Sequence, residues 1–315
     1  MGLLSPIRRN KRQQWIYLTE EGIGRASFQS SANAMPRLHR FDWKVESDAV
    51  NRPGELAGWA AEKASGPVNL LLGEGLYQML MVDVPDVPAE EIESALRLKS
   101  ADLISYDIED ATLDVILLPT DAYRGRLRMA FVIAAMKSPL RQWALELAKR
   151  GLTLNVIDVD QLQLRNLAIR SQQRHQSGLL HLGPDRCRLV LLYENELVLS
   201  RQFDIGYQSL GMSGPDEPAL TLEGQDDIQL ESLVLELRRS FDYYESQLGL
   251  GSIGEVSLIG WPGDVGLTAS LGEKLGVRFQ PLRAEDLILL PDPLEGVVPD
   301  PLIPMLGTAF RGVAV

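Results

Sequence analysis

The sequence predicts an α/β protein of two domains, and three patterns carry that reading. The stretch 179–205, LLHLGPDRCRLVLLYENELVLSRQFDI, sets runs of Leu, Val, Ile and Phe between two turn signals, Gly183-Pro184-Asp185 and Glu194-Asn195. That is the signature of successive strands. A weaker copy of strand, glycine turn and strand opens the chain around Gly22 and Gly24. Between the two, residues 76–159 alternate strand and helix patterns, which favours a layered α/β arrangement.

In chain order, strands are expected at 14–18 and 25–29, joined through the turn Thr19-Glu20-Glu21-Gly22-Ile23-Gly24. A short helix at 56–63 leads into a strand at 68–72, and another strand follows at 76–82. Pro88 marks a helix start, with Glu90 and Glu91 in its positive first turn and Ile92, Ala95, Leu96 and Leu103 on one face. Apolar strands come next at 111–118 and 127–136. A second helix has Ser138 as N-cap, Pro139 at its first position and Gly151 just past its end, with Leu140, Trp143, Ala144 and Leu147 on its apolar face. A strand at 154–159 completes a stretch expected to fold as one subdomain with both helices on one sheet face. A helix at 160–172 then leads to a domain boundary near Ser177.

After the 179–205 hairpin, residues 206–224 are rich in Gly, Pro, Ser and acids and read as a loop. Leu230, Leu233, Val234, Leu237, Phe241, Tyr244 and Leu248 then repeat at helical spacing, and Gly249 ends the helix. A strand at 253–259, the turn Gly260-Trp261-Pro262-Gly263, a helix lined by Leu267, Leu271 and Leu275, and a C-terminal helix at 301–310 complete the reading.

Composition narrows the function. The 315 residues hold 31 basic and 43 acidic side chains, a net charge of −12, which argues against a nucleic-acid partner. The single cysteine, Cys187, leaves no internal disulfide and reads as a buried small hydrophobe. The three histidines are scattered, so no His-based metal site is expected, and His181 on an apolar strand reads as a core or interface residue. No signal peptide or membrane-spanning run is expected, which fits a soluble cytoplasmic protein. Arg8, Arg9, Lys11 and Arg12 form a basic arm, read as a solvated tail or as a contact for anionic lipid. Walker, G-x-S-x-G, H-E-x-x-H and dinucleotide motifs are absent. Asp158 and Asp160 read as capping or Mg²⁺-binding carboxylates, with capping preferred.

Three stretches carry a family resemblance: MLMVDVPDVPAEEIESALRLKSADLISYDIEDATLDVILLP (79–119), the 179–205 hairpin, and RRSFDYYESQLG (238–249). In that order they resemble the actin-like ATPase (ribonuclease H-like) two-domain fold with an FtsA-type inserted α/β subdomain. They are most similar to PilM-like type IV pilus assembly proteins, and among these to the MshI type of MSHA pilus systems. The cytoplasmic domain of GspL is similar as well. The resemblance implies a first actin-like domain over 1–176 with its insert at 76–159, a second over 177–298, and a C-terminal helix at 299–315 packing back on the first.

It also implies a cytoplasmic scaffold at the inner membrane. Such a scaffold binds the N-terminal tail of a bitopic PilN-like protein and lies near the pilus assembly ATPase. The tail would run between the inserted subdomain and the first domain's sheet. Arg97 and Lys99 of the 90–104 helix are then candidate partner contacts, or else part of a solvated helix face.

The sequence departs from the family where nucleotide would bind. Acidic Glu20 and Glu21 stand in the first phosphate turn, and His181-Leu182-Gly183 replaces the second D-I-G. Trp261 follows Gly260 at the adenosine turn, and 206–224 is short for the helical subdomain that closes over the base. The expectation is a degenerate, non-catalytic fold without cofactor. The alternatives are a functional actin-like ATPase that polymerises or switches on nucleotide, and an unrelated α/β enzyme.

Overall fold

The computed structural model describes residues 11–31, 34–171, 176–212, 225–260, 265–294 and 298–312. Two compact units form: Met1–Glu74 with Pro139–Asn166 and Ala284–Val315, and Gly75–Ser138 with Leu167–Arg283.

The sheet of the first unit has β1 (Lys11–Leu18), β2 (Gly22–Ser31), β3 (Ala34–Val45), β4 (Pro67–Leu72) and β8 (Thr153–Val159) in the order β3-β2-β1-β4-β8. β1, β2 and β3 pair antiparallel, whereas β4 runs parallel to both β1 and β8. Parallel strands covered on both faces need continuous apolar runs, and Trp15 to Leu18 and Leu70 to Leu72 supply them, all buried. Lys11 and Arg12, expected in a loose basic arm, belong instead to β1, where they pair with Ser30 and Gln29. The rest of that arm lies outside the described residues.

The sheet of the second unit repeats the plan. β9 (Gln176–Leu182), β10 (Cys187–Tyr193), β11 (Glu196–Phe203), β12 (Glu255–Ile259) and β13 (Arg278–Pro281) lie in the order β11-β10-β9-β12-β13. β9, β10 and β11 are antiparallel, and β12 is parallel to β9 and β13. Both hairpins predicted from sequence therefore sit at the same place in their sheets.

A third sheet, β5-β7-β6, comes from β5 (Tyr77–Asp83), β6 (Ala111–Leu117) and β7 (Met129–Met136). This corrects the expected 76–159 subdomain. β8 leaves it to pair with β4, and α3 (Lys137–Ala148) sends its buried Trp143 to the Val50 carbonyl of the first unit, 2.9 Å away. α2 (Ile92–Ser100) packs on the three strands, setting Ile92 and Leu96 against Val82, Ala130 and Val132. α2 ends at Ser100, so Leu103 falls beyond its apolar face and is 51% exposed; Ile104 is buried in its stead. α3 begins one residue before Ser138, which is thus a helix residue and not its cap.

The remaining helices are α1 (Pro53–Ala61), α4 (Asp160–Ser171), α5 (Gln225–Asp242), α6 (Val265–Leu275) and α7 (Leu302–Gly307). α5 continues through a π-helical turn, Tyr243–Leu248, stopped by Gly249 at φ 69°. Its stripe is buried at Leu233, Val234, Leu237, Tyr244 and Leu248, as the spacing predicts. The C-terminal residues pack within the first unit: Ser30 donates to the Ala309 carbonyl at 3.0 Å.

α1 is held on its sheet by a buried cation. Arg25 of β2 donates to Asp42 at 3.0 Å, to Glu62 at 2.8 Å and to the Trp59 carbonyl, and its guanidinium lies 4.4 Å from the centre of the Trp59 ring. Partial burial raises the Asp42 carboxyl, but hydrogen bonds from Arg40 and Arg25 outweigh it and leave Asp42 below the usual carboxylate value. A depressed folded value stabilises above the unfolded value of about 4 and is lost as pH falls through the folded one. Stability is therefore expected to decline below about pH 4, and more gently in Asp42→Asn. Circular dichroism across an acid titration checks this; identical acid limbs for the two proteins would remove the carboxylate from the account.

Candidate functional site

Both hairpin turns expected to contact nucleotide are bonded within their own units. In the first turn, the Thr19 hydroxyl oxygen accepts the backbone N–H of Glu21 at 3.2 Å and of Gly22 at 3.0 Å, and Thr19 N–H donates to the Gly22 carbonyl at 3.0 Å. Backbone N–H groups of such turns are what hold a phosphate. Here the turn closes on itself and exposes Glu20 and Glu21.

The second turn, between β9 and β10, is covered by the chain that follows β11. Tyr207 N–H donates to the Gly183 carbonyl at 2.9 Å, and Gln208 N–H to the Pro184 carbonyl at 3.1 Å. Gly206 lies so close that a Cβ would stand 2.0 Å from the Pro184 carbonyl oxygen. His181 is 2% exposed, with Arg188 3.4 Å from its Nδ1. Its ring fills the space beside Gly260, whose Cβ would come within 2.6 Å of it. Gly260 has φ 94°, a conformation open to glycine. Trp261 and most of the 206–224 loop lie outside the described residues.

Asp158 near the end of β8 and Asp160 at the start of α4 are also engaged. Asp158 pairs with Arg311 at 2.7 Å and accepts the Val159 N–H, while buried Asp160 accepts the Tyr17 hydroxyl at 3.1 Å. Among the described residues no three His, Cys, Asp or Glu side chains cluster to hold a metal. Cys187 is fully buried, which pushes its thiol up to about 12 and leaves it protonated.

Arg97 and Lys99 have internal work. Half-buried Arg97 donates to the carbonyls of Ile108 and Ala111, tying α2 to the start of β6. Lys99 is exposed and pairs with Asp83 of β5 at 2.5 Å. The sequence marks Tyr123-Arg124-Gly125 only as the link between two strands; the structure makes it the centre of a cluster. In the β6–β7 connection Tyr123, Arg124 and Gly125 take φ of 54°, 56° and 66° in succession, which costs energy at the two non-glycine positions. Tertiary bonds hold them: the Tyr123 and Tyr243 hydroxyls meet at 2.7 Å, and Tyr193 donates to Asp121 at 2.6 Å. That last bond, ahead of burial, raises the Tyr193 phenol to about 12. No local motif signals this clasp, because its partners are 72 and 120 residues apart.

No helix among the described residues is long and apolar enough to cross a membrane. No protein-family model and no curated protein sequence matches the chain. Solved structures do. The structure described as a PilM-PilN type IV pilus biogenesis complex matches with a TM-score of 0.68 at 20% identity, over 96% of this chain and 99% of that one. A Bacteroides thetaiotaomicron protein of actin-like ATPase fold and unknown function matches with a TM-score of 0.50 at 12% identity, over 97% and 99%. The cytoplasmic domain of EpsL, an inner-membrane component of the Vibrio cholerae type II secretion system, gives 0.49 at 14% identity, over 95% and 93%. With its twice-repeated strand order, the chain has the actin-like ATPase fold.

Proposed function

We propose that this chain is a non-catalytic scaffold of a type IV pilus assembly machine, of the MSHA (MshI) kind, working on the cytoplasmic side of the inner membrane. The observation that carries the partner is the end-to-end likeness to the PilM-PilN complex. On that reading the chain binds the short cytoplasmic tail of a PilN-like protein and reaches the membrane through it, near the assembly ATPase.

The scaffold role, with no ATP turnover and no cofactor, rests on the two hairpin turns. The N–H groups of Glu21 and Gly22 are bonded to Thr19, acids flank that turn, and residues 206–208 cover the other. A polyphosphate would have to displace these bonds and approach two carboxylates, each costing free energy.

Calorimetry separates the readings. Titration with Mg-ATP should give no binding heat, while a synthetic N-terminal tail of the PilN-like protein encoded beside it should bind. Lys99→Glu should weaken that binding more than Arg97→Gln, because the Arg97 guanidinium is committed to backbone carbonyls. Clear micromolar Mg-ATP binding would instead establish the alternative, an actin-like protein that switches on nucleotide. Failure of every neighbouring tail to bind would sink the scaffold.

A further inference from the structure

A cavity of about 230 Å³ opens in the first unit where β1, β2 and β3 meet the end of α1. Its lining carries four cations, Arg12, Arg25, Arg40 and Lys63, against one carboxylate, Glu62. In a chain of net charge −12 that is a local reversal of sign. The cations are not equivalent. Arg25 is saturated, since its donors go to Asp42, Glu62 and the Trp59 carbonyl. Arg40 shares Asp42 and lies 3.9 Å from the Glu62 carboxylate, so both acids are already matched by these two guanidinium groups.

Arg12 and Lys63 remain, both exposed at the rim and neither in ion-pair contact with a carboxylate among the described residues. The floor supplies a second, independent sign of a ligand. Ser27 of β2 lines the cavity and is 6% exposed, yet its hydroxyl has no hydrogen-bond partner among the described residues. Buried hydroxyls are nearly always satisfied, so an orphan on a residue that lines a cavity marks a place where another polar group fits.

We infer that this cavity is a binding site for a small phosphate-bearing molecule, with Arg12 and Lys63 as the charged rim and Ser27 as the donor at the floor. A cation is repelled by this lining, and a neutral ligand would make no use of two positive groups that have no ion-pair contact. A phosphate has oxygens enough to take a guanidinium, an ammonium and a hydroxyl at once. The carbon side chains of Ile16, Ala60 and Val68 give its organic part an apolar wall. The volume falls below the roughly 300–1,000 Å³ of drug-sized sites, which fits a phosphate ester or a lipid headgroup and not a nucleotide triphosphate. The site lies wholly within the first unit and does not depend on the scaffold reading.

The test uses the full chain, with inorganic phosphate and glycerol 3-phosphate followed by calorimetry. Cosedimentation with phosphatidylcholine vesicles, with and without phosphatidylglycerol, runs in parallel. Arg12→Gln combined with Lys63→Gln, both surface changes that spare the Arg25 network, should weaken binding at least about tenfold, the scale of one lost charge-assisted contact. Ser27→Ala should weaken binding several-fold while leaving the unliganded protein as stable or more so, because it removes an unpaired hydroxyl. Binding of glycerol 3-phosphate assigns the site to a free ester. Sedimentation only with phosphatidylglycerol, lost in the double variant, assigns it to a headgroup. The inference is overturned if neither probe binds, or if binding is unchanged in the double variant.

Discussion

Gly307→Ala is expected to destabilise the first unit by about 2–3 kcal/mol, although alanine is the better helix former. Gly307 has an ordinary helical φ of −60°, so glycine is not needed there for its backbone freedom. It is needed for approach. A Cβ would lie 2.1 Å from the Gln163 carbonyl oxygen and 2.6 Å from its carbon, and both belong to the backbone of α4. Main chain cannot rotate aside as a side chain can, so α7 must lift from α4 and loosen the buried Leu302, Ile303, Met305 and Leu306. Gly58→Ala in α1 is the control. Its Cβ would find Arg150 at 3.8 Å, ordinary contact, so propensity alone acts and stability should rise by about 0.5–1 kcal/mol. Urea midpoints moving in opposite directions would support the account; a neutral Gly307→Ala would refute the close approach.

Trp143→Ala should cost about 3–5 kcal/mol, the usual range for emptying a buried indole site. Trp143 is fully buried on α3, between Leu140 and Leu147 on the same face, and is among the largest enclosed side chains. Its Nε1–H also satisfies the Val50 carbonyl. Trp143→Phe separates the two contributions, since it keeps most of the packing and removes the donor. That change should cost about 1–3 kcal/mol, the penalty of an unpaired, partly buried carbonyl plus a small void. If both variants unfolded at the wild-type urea concentration, α3 would not be anchored where the structure places it.

What the sequence made legible follows from how local each signal is. The two hairpins, α3, α4, α5 and the buried strand β4 carry their period within a dozen residues, and each was placed to within a few residues. β3 was missed altogether. It is an edge strand with Pro36 near its start, in which Leu38, Phe41, Trp43 and Val45 alternate with charged residues but the period slips at His39-Arg40, where the pairing with β2 has a bulge. Charges and proline are what keep such an edge from pairing with another chain, and they also hide it from pattern reading. β13 was missed for its length of 4 residues. The membership of β8 was misread because partner choice in a parallel pair is settled by long-range packing and not by the strand's own residues.

At the candidate site, the residue types of the turns, Glu20, Glu21 and His181, stand in the sequence itself. The bonds that occupy them do not. Thr19 as the internal acceptor and residues 206–208 as a cover depend on backbone geometry that no spacing encodes. Likewise the lining of the cavity beside α1 joins residues from β1, β2, β3, β4 and the end of a helix, segments with no shared motif.

The repeated strand order has a consequence for chain entropy. In the second sheet, β12 and β13 are separated only by α6 and its connections, from Ile259 to Arg278. The equivalent pair in the first sheet, β4 and β8, must close a span about four times longer, from Leu72 to Thr153. Loop closure grows only with the logarithm of length, so the longer span costs about 1 kcal/mol more. The crossover after the fourth strand is thus a place where this architecture accepts an entire extra sheet at little thermodynamic expense, without altering the pairing of the strands on either side.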